Sequence, residues 1–340
     1  MATVDRKELL RQLESCAPGI SSTDNIEQGD CFAFTGEHIV SFNDEILCKQ
    51  ESAVKDIRCA VPAKPLLETL RKLTEDDIEV SMTESQLIIK CPGVRRMGIT
   101  VHADAVAHSE AVEQPGEWLD VPPIFADALA AVADVAARKA DTADKFELTC
   151  VHLSPNGMQA TDTFQAIRYR LKCPLTSGIL VRRSACVAVN GLGVAAISET
   201  DNWLHLKTYS GLQVSMRRYS GDYPDLNPIF KEDSVATLAL PPSLLDSIQK
   251  ASAFFADTGD GKQAQFRLKD NKLMVRAQNE IGWYEEVRDV QYEGPARSFG
   301  MNPKYVQTLL KYDYPIGLTA NALRIRGENF AYMSSTEQIV

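Results

Sequence analysis

The sequence predicts an α+β protein of three similar domains, each composed of two β-α-β-β(-β) units. Three observations lead there: a recurrence of about sixty residues, an amphipathic helix opening each period, and alternating strands completing it. The recurrence is anchored on an apolar residue at Val4, Val61, Val121, Val181, Leu240 and Met301, spaced by 57, 60, 60, 59 and 61 residues. Six near-equal units fill the chain.

Each anchor is followed by one or two turn residues, often proline, and then by apolar residues at helical spacing. Proline suits a helix start, where its missing N–H costs nothing. In the second unit Leu66, Leu67, Leu70 and Leu73 form one stripe of an amphipathic helix. The expected helix windows are 5–13, 62–73, 122–140, 182–193, 241–251 and 302–311. Strand pairs follow the helices. Ile78-Glu-Val-Ser-Met turns into Leu87-Ile-Ile-Lys, Phe266-Arg-Leu turns at Lys269-Asp-Asn into Lys272-Leu-Met-Val-Arg, and Ile316-Gly-Leu-Thr turns into Leu323-Arg-Ile-Arg. Polar linkers at 107–117 and 231–234 fall at every second unit, which gives domains at 1–115, 116–233 and 234–340.

Composition excludes several classes. Of the 340 residues, 44% are hydrophobic and 24% charged, an ordinary globular balance that rules out wholesale disorder. No apolar run approaches the ~20 residues that span a bilayer, and the N-terminus has no signal-peptide core, so a cytoplasmic protein is expected. The eight cysteines (Cys16, Cys31, Cys48, Cys59, Cys91, Cys150, Cys173, Cys186) are widely spaced with no C-x-x-C. They read as small core hydrophobes in a reducing compartment rather than as disulfides or zinc ligands.

The charge is unevenly distributed. The whole chain carries 36 Lys+Arg against 46 Asp+Glu, net −10, which by itself argues against nucleic acid. The six helix windows, however, hold 13 basic and 6 acidic residues. Their cations are Arg6, Lys7, Arg11, Lys64, Arg71, Lys72, Arg138, Lys139, Arg182, Arg183, Lys250, Lys304 and Lys311. Two readings stand at this point: solvated helix faces built from good helix formers, or six equivalent helices turned toward one polyanion.

Several short words, in order over the whole length, resemble the bacterial replicative sliding clamp, the β subunit of DNA polymerase III. They are Cys59-Ala-Val-Pro-Ala-Lys-Pro-Leu-Leu-Glu-Thr-Leu, Met158-Gln-Ala-Thr-Asp-Thr-Phe-Gln-Ala, Tyr223-Pro-Asp-Leu, Phe299-Gly-Met-Asn-Pro-Lys-Tyr-Val and Ala331-Tyr-Met. The resemblance implies a DNA-clamp fold and a ring of two copies, with the basic helices lining a pore around duplex DNA. It implies a non-enzymatic processivity factor without cofactor or metal. Its partners would be duplex DNA of any sequence, a second copy of the chain, the replicative polymerase and a clamp loader, with no membrane.

Two further sites follow from the same resemblance. A partner-peptide pocket maps to Thr161, Phe164, Gln165, Ala166, Pro224, Pro228, Ile229, Met333 and Ser334; the alternative is that these residues fill a domain junction. Here Thr163-Phe164-Gln165-Ala166 stands where the family has G-H-R-L, and Ser335-Thr-Glu, followed by an extra Gln-Ile-Val, replaces its M-P-M ending. A dimer seam maps to Met97, Ile99, Phe254 and Phe255, which could equally be core.

Local catalytic signatures are weak. Gly259-Asp-Gly-Lys-Gln resembles the end of a P-loop, but Ala256 stands at its first glycine and Gln263 at its Ser/Thr. Gly191-Leu-Gly193 follows no strand. His38, His102, His108, His152 and His205 lie far apart, and no serine sits in a G-x-S-x-G elbow. Two other functions remain open: a clamp-fold scaffold or checkpoint protein outside replication, and an enzyme using a cleft between repeats.

Overall fold

A computed structural model describes residues 2–23, 25–93, 95–105, 108–138, 145–258, 261–312 and 314–339; for 108–109, 257–258 and 261–262 only the backbone is described. Strand β1 (Ala2–Asp5) leads into helix α1 (Arg6–Cys16), whose first turn is capped by Asp5 Oδ1 accepting from the Glu8 N–H at 2.7 Å. Strands β2 (Cys31–Thr35), β3 (His38–Phe42), β4 (Ile46–Glu51) and β5 (Arg58–Pro62) precede α2 (Ala63–Lys72). Leu66 and Leu70 of α2 are fully buried, each contributing about 1.5–3 kcal/mol relative to exposure. Strands β6 (Asp77–Met82), β7 (Gln86–Lys90) and β8 (Arg96–Thr100) follow.

The middle of the chain holds β9 (Leu119–Asp120), α3 (Phe125–Val135), β10 (Cys150–Ser154), β11 (Gly157–Thr161) and β12 (Gln165–Arg170). It continues with β13 (Ile179–Arg182), α4 (Arg183–Ala188), β14 (Val194–Glu199), β15 (Trp203–Thr208), β16 (Gln213–Tyr219) and α5 (Asn227–Lys231). The last third comprises β17 (Ala236–Ala239), α6 (Leu244–Ala251), β18 (Ala256–Thr258), β19 (Gly261–Lys269), β20 (Lys272–Gln278) and β21 (Trp283–Asp289). It ends with β22 (Gln291–Glu293), β23 (Arg297–Met301), α7 (Pro303–Leu310), β24 (Ile316–Leu318), β25 (Ala322–Arg326), β26 (Phe330–Ser335) and β27 (Glu337–Gln338).

The six anchors each precede a helix start by no more than four residues, as the repeat predicts. The β19–β20 turn has Asp270 and Asn271 both at positive φ, 52° and 57°, the mirror-image turn that matches strand twist. Two helices end five residues before their expected windows do. α3 ends at Val135 because the Ala137 N–H donates to the Leu148 carbonyl at 2.9 Å rather than to the helix. α4 has six residues and ends before Val189. The five-residue α5 lies outside the repeat.

The chain forms two compact units, Met1–Asp134 with Cys150–Gly157 and Leu171–Gly221, and Val135–Thr149 with Met158–Arg170 and Asp222–Val340. The segment 116–233 is shared between them because it supplies strands to both. In the first unit an antiparallel sheet runs β5-β2-β3-β4-β16-β15-β14-β9, with β4 paired to β16 through Cys48↔Val214 and its neighbours. A second sheet, β1-β6-β7-β8, ends at β8. In the second unit one sheet runs β12-β26-β25-β24-β17-β22 and another runs β21-β20-β19-β23-β27. Helix α1 packs on α2, and α6 on α7, so consecutive repeats pair.

All eight cysteines are buried free thiols, as read from their spacing. Burial pushes the Cys48 thiol up to about 12 and Cys59 to about 11, which makes both poor nucleophiles. Among the described residues no helix is long and apolar enough to cross a membrane, and no cluster of His, Cys, Asp and Glu could hold a metal ion.

Candidate functional site

The partner-peptide positions come together on the second unit. In the antiparallel ladder β12-β26-β25, Ala166 lies opposite Met333, and Met333 opposite Arg324. Directly opposed residues share a sheet face, so Ala166 and Met333 form one row, both buried. At one end of β12 the chain turns through 161–165. The Asp162 carboxylate accepts from the backbone N–H groups of Phe164 (3.0 Å) and Gln165 (2.8 Å) and from Gln165 Nε2 (2.8 Å). Burial raises the Asp162 carboxyl above its usual range, while these hydrogen bonds oppose the shift. Gln165 Oε1 in turn accepts from the buried Tyr332 hydroxyl at 2.8 Å.

Thr163 in this turn has φ +80°. A β-branched residue is strained there, and glycine is not. A glycine at this position would be free of that strain. The rest of the set is mixed: Pro224, Pro228 and Ile229 are exposed, the last two on α5, Phe164 is half-buried, and Thr161 and Ser334 are buried. The Tyr223 hydroxyl accepts from the Thr161 N–H at 3.0 Å, tying the 223–229 segment to the turn.

The helix cations are less uniform than a count suggests. Arg6 is buried; its guanidinium donates to the carbonyls of Glu75 (2.7 Å) and Leu70 (3.1 Å), so it holds α1 in place and offers no surface charge. Lys7 pairs with Asp76 at 2.8 Å, Arg11 with Glu8 at 2.6 Å, Arg71 with Glu14 at 2.9 Å and Lys250 with Asp246 at 2.6 Å. Lys64 and Lys72 on α2 are exposed and, among the described residues, have no carboxylate within ion-pair distance. Helix α3 itself carries Asp127 and Asp134 and no cation. Arg138 lies beyond its end, and Lys139 falls outside the described residues. Arg182 is half-buried beside Glu45 and the Tyr219 ring; Arg183 opens α4, also half-buried, with a buried Nε that has no hydrogen-bond partner among the described residues. Lys304 and Lys311 are exposed on and just after α7.

The seam positions lie at the margins of two sheets. Met97 and Ile99 are half-buried on the edge strand β8. Phe254 and Phe255 are half-buried before β18, and the Phe254 ring leaves only 3.3 Å above a Cβ placed on Gly282. Gly282 leads into the edge strand β21, where Trp283 is 62% and Val287 53% exposed, with Ile281 beside them at 87%. These three apolar residues went unread in the sequence, although alternate apolar residues in a charged strand are a signal of a covered face.

One constellation looks catalytic and is not. His205 Nδ1 lies 2.8 Å from Ser215 Oγ and Nε2 3.1 Å from Thr200 Oγ1. His205 and Ser215 are fully buried, and burial pushes the imidazole down to about 4. No substrate reaches the pair, which serves as core.

No family model matches the chain and no curated protein does. Solved structures do. The DNA polymerase III beta subunit of Thermotoga maritima superposes with TM-score 0.80 at 16% identity, covering 99% of both chains. The beta chain from Streptococcus pneumoniae gives 0.80 at 16%, and the DNA polymerase sliding clamp of Bacillus subtilis 0.78 at 15%, each again over 99% of both chains. The chain has the sliding-clamp fold. At such identity the likeness speaks for the backbone over its full length, and the side chains must carry the rest.

Proposed function

We propose that the protein is a sliding clamp: a non-enzymatic processivity factor that encircles duplex DNA as a head-to-tail homodimer and tethers a replicative polymerase. The carrying observation is the clamp fold over 99% of the chain and of its structural neighbours. Three domains at 1–115, 116–233 and 234–340 per copy give six around the ring.

Two open sheet edges support the head-to-tail arrangement. β8 ends one sheet of the first unit and β21 ends one sheet of the second, and β21 exposes Trp283 and Val287. An exposed edge strand with apolar side chains is an aggregation hazard unless another strand covers it. Pairing β8 of one copy with β21 of another covers both, and a heterologous contact closes into a ring when the rotation permits. Met97, Ile99, Phe254 and Phe255 then flank the seam. The exposed helix cations, Lys64, Lys72, Lys304 and Lys311 foremost, would hold phosphates without sequence preference, and the acidic remainder of the chain would keep DNA off other faces. A closed ring cannot leave the duplex sideways, so a bound polymerase stays at high effective concentration. The clamp loader opens the ring, and the reduced thiols fit a cytoplasmic setting.

The test is gel filtration with chemical crosslinking at micromolar concentration. A dimer is expected, converted to monomer by Phe254→Asp or Trp283→Asp. A strictly monomeric parent contradicts the reading.

A further inference from the structure

The sheet face that bears Ala166 and Met333 continues into a cationic cavity. Two residues further along β12, in the adjoining row of the same ladder, Arg168 lies opposite Ala331, and Ala331 opposite Arg326. Rows two residues apart are separated by about 7 Å, so the Ala166–Met333–Arg324 row and the Arg168–Ala331–Arg326 row adjoin on one face. A cavity of about 340 Å³ opens at the second row, lined by Arg168, Arg170, Arg326, Lys231, Phe230 and Phe330.

The cavity is built rather than incidental. Arg168 donates from Nε to Gln159 Oε1 (3.0 Å) and from Nη1 to Asn227 Oδ1 (2.9 Å), and its guanidinium lies 4.9 Å from the centre of the Phe230 ring. Arg326 donates to the Phe230 carbonyl, fixing the end of α5 at the rim. All these partners are neutral. Among the described residues no carboxylate lies within 4 Å of the charged nitrogens of Arg168, Arg170, Arg326 or Lys231. Two carboxylates, Asp233 and Glu328, also line the cavity, which leaves four cations against two anions. Burial first, and then the neighbouring Arg170, disfavour the charge on Arg168, and Asp225 offsets them in part; a bound anion would favour that charge further.

We propose that this cavity is an acidic-residue subsite, which binds an Asp or Glu carboxylate of a partner peptide whose apolar side chains lie on Ala166, Met333 and Ile229. The proposal rests on the partner-peptide reading of those positions and deepens it. Charge and continuity select the occupant: a planar guanidinium recognises carboxylate by paired N–H donors. A single-stranded nucleic acid fits less well, because such strands bind by stacking bases on open aromatic faces. Here the Phe230 face is covered by Arg168, while Phe330 is packed by Tyr169 (centroids 5.4 Å), Tyr312 (4.6 Å) and Tyr314 (5.4 Å).

The experiment pans a random peptide library against the full chain, with an Ile229→Asp/Met333→Asp variant as the counter-selection. Binding of a retained peptide is then measured with its acidic residues intact and changed to Asn or Gln. The expected result is enrichment of Asp or Glu beside the apolar residues, with about tenfold weaker binding after amidation. That difference should disappear in Arg170→Gln/Arg326→Gln, whose exposed side chains can be changed without opening the core. Retained peptides indifferent to amidation overturn the subsite and leave the peptide groove standing. A library from which nothing is retained overturns both. Displacement of a retained acidic peptide by a single-stranded oligonucleotide, but not by excess free amidated peptide, assigns the cavity to nucleic acid and overturns the proposal.

Discussion

Four of the helix cations differ from the cavity cations in what already neutralises them. On the helices, Lys7, Arg11, Arg71 and Lys250 each have a carboxylate within 3 Å. In the cavity, Arg168 and Arg326 are held by amide and carbonyl oxygens that fix position without cancelling charge. The difference fits the two tasks proposed for these surfaces. A surface over which DNA must slide needs attraction without fixed anchors, and loose exposed ion pairs, worth about 0–1 kcal/mol each, exchange readily for phosphate. A specific subsite needs a charge fixed in place and left unsatisfied until its ligand arrives.

The largest expected effect comes from reversing several helix charges together. Changing Arg71, Arg182, Arg183 and Lys304 together to Glu should abolish retention on circular DNA while sparing the dimer; unchanged retention would dissolve the distinction. Next, Lys64→Glu/Lys72→Glu should reduce DNA affinity and lower the salt slope by about two, because each phosphate contact contributes about 0.9. The paired cations in Arg11→Glu/Lys250→Glu should contribute less, read by fluorescence anisotropy against salt. A smaller effect of opposite sign should follow from Glu14→Gln/Asp246→Asn, which frees Arg71 and Lys250: DNA binding should tighten by a few-fold. If it weakens, the ion pairs position these cations rather than mask them. The smallest effect belongs to the peptide turn. Thr163→Gly should raise stability by about 1 kcal/mol by relieving the positive φ, seen as a higher Tm with peptide binding retained.

The repeat was legible because its signals are local. An apolar anchor, a proline and a Leu66-Leu70 stripe lie within one helical turn or two, and the structure places a helix after all six anchors. The end of α3 was not legible. Ala136-Ala137-Arg138 reads as helix, but the Ala137 N–H is taken by Leu148, eleven residues on. Arg6 reads as a surface charge in a first turn, and only its bonds to Leu70 and Glu75 bury it. Long-range hydrogen bonds of this kind leave no trace in a local window. The cavity left a trace that composition hides: Arg168-Tyr-Arg170 and Arg324-Ile-Arg326 alternate on two strands, and the two-residue period puts each pair on one face. Which strands adjoin depends on register, which the sequence does not print.

The central claim is topological, so the most direct measurement is retention on nicked circular DNA followed by linearisation. The protein, loaded and passed through gel filtration at moderate salt, should co-elute with the circle and be released when a single cut opens it. Equal retention before and after the cut, or none on the circle, would contradict encirclement.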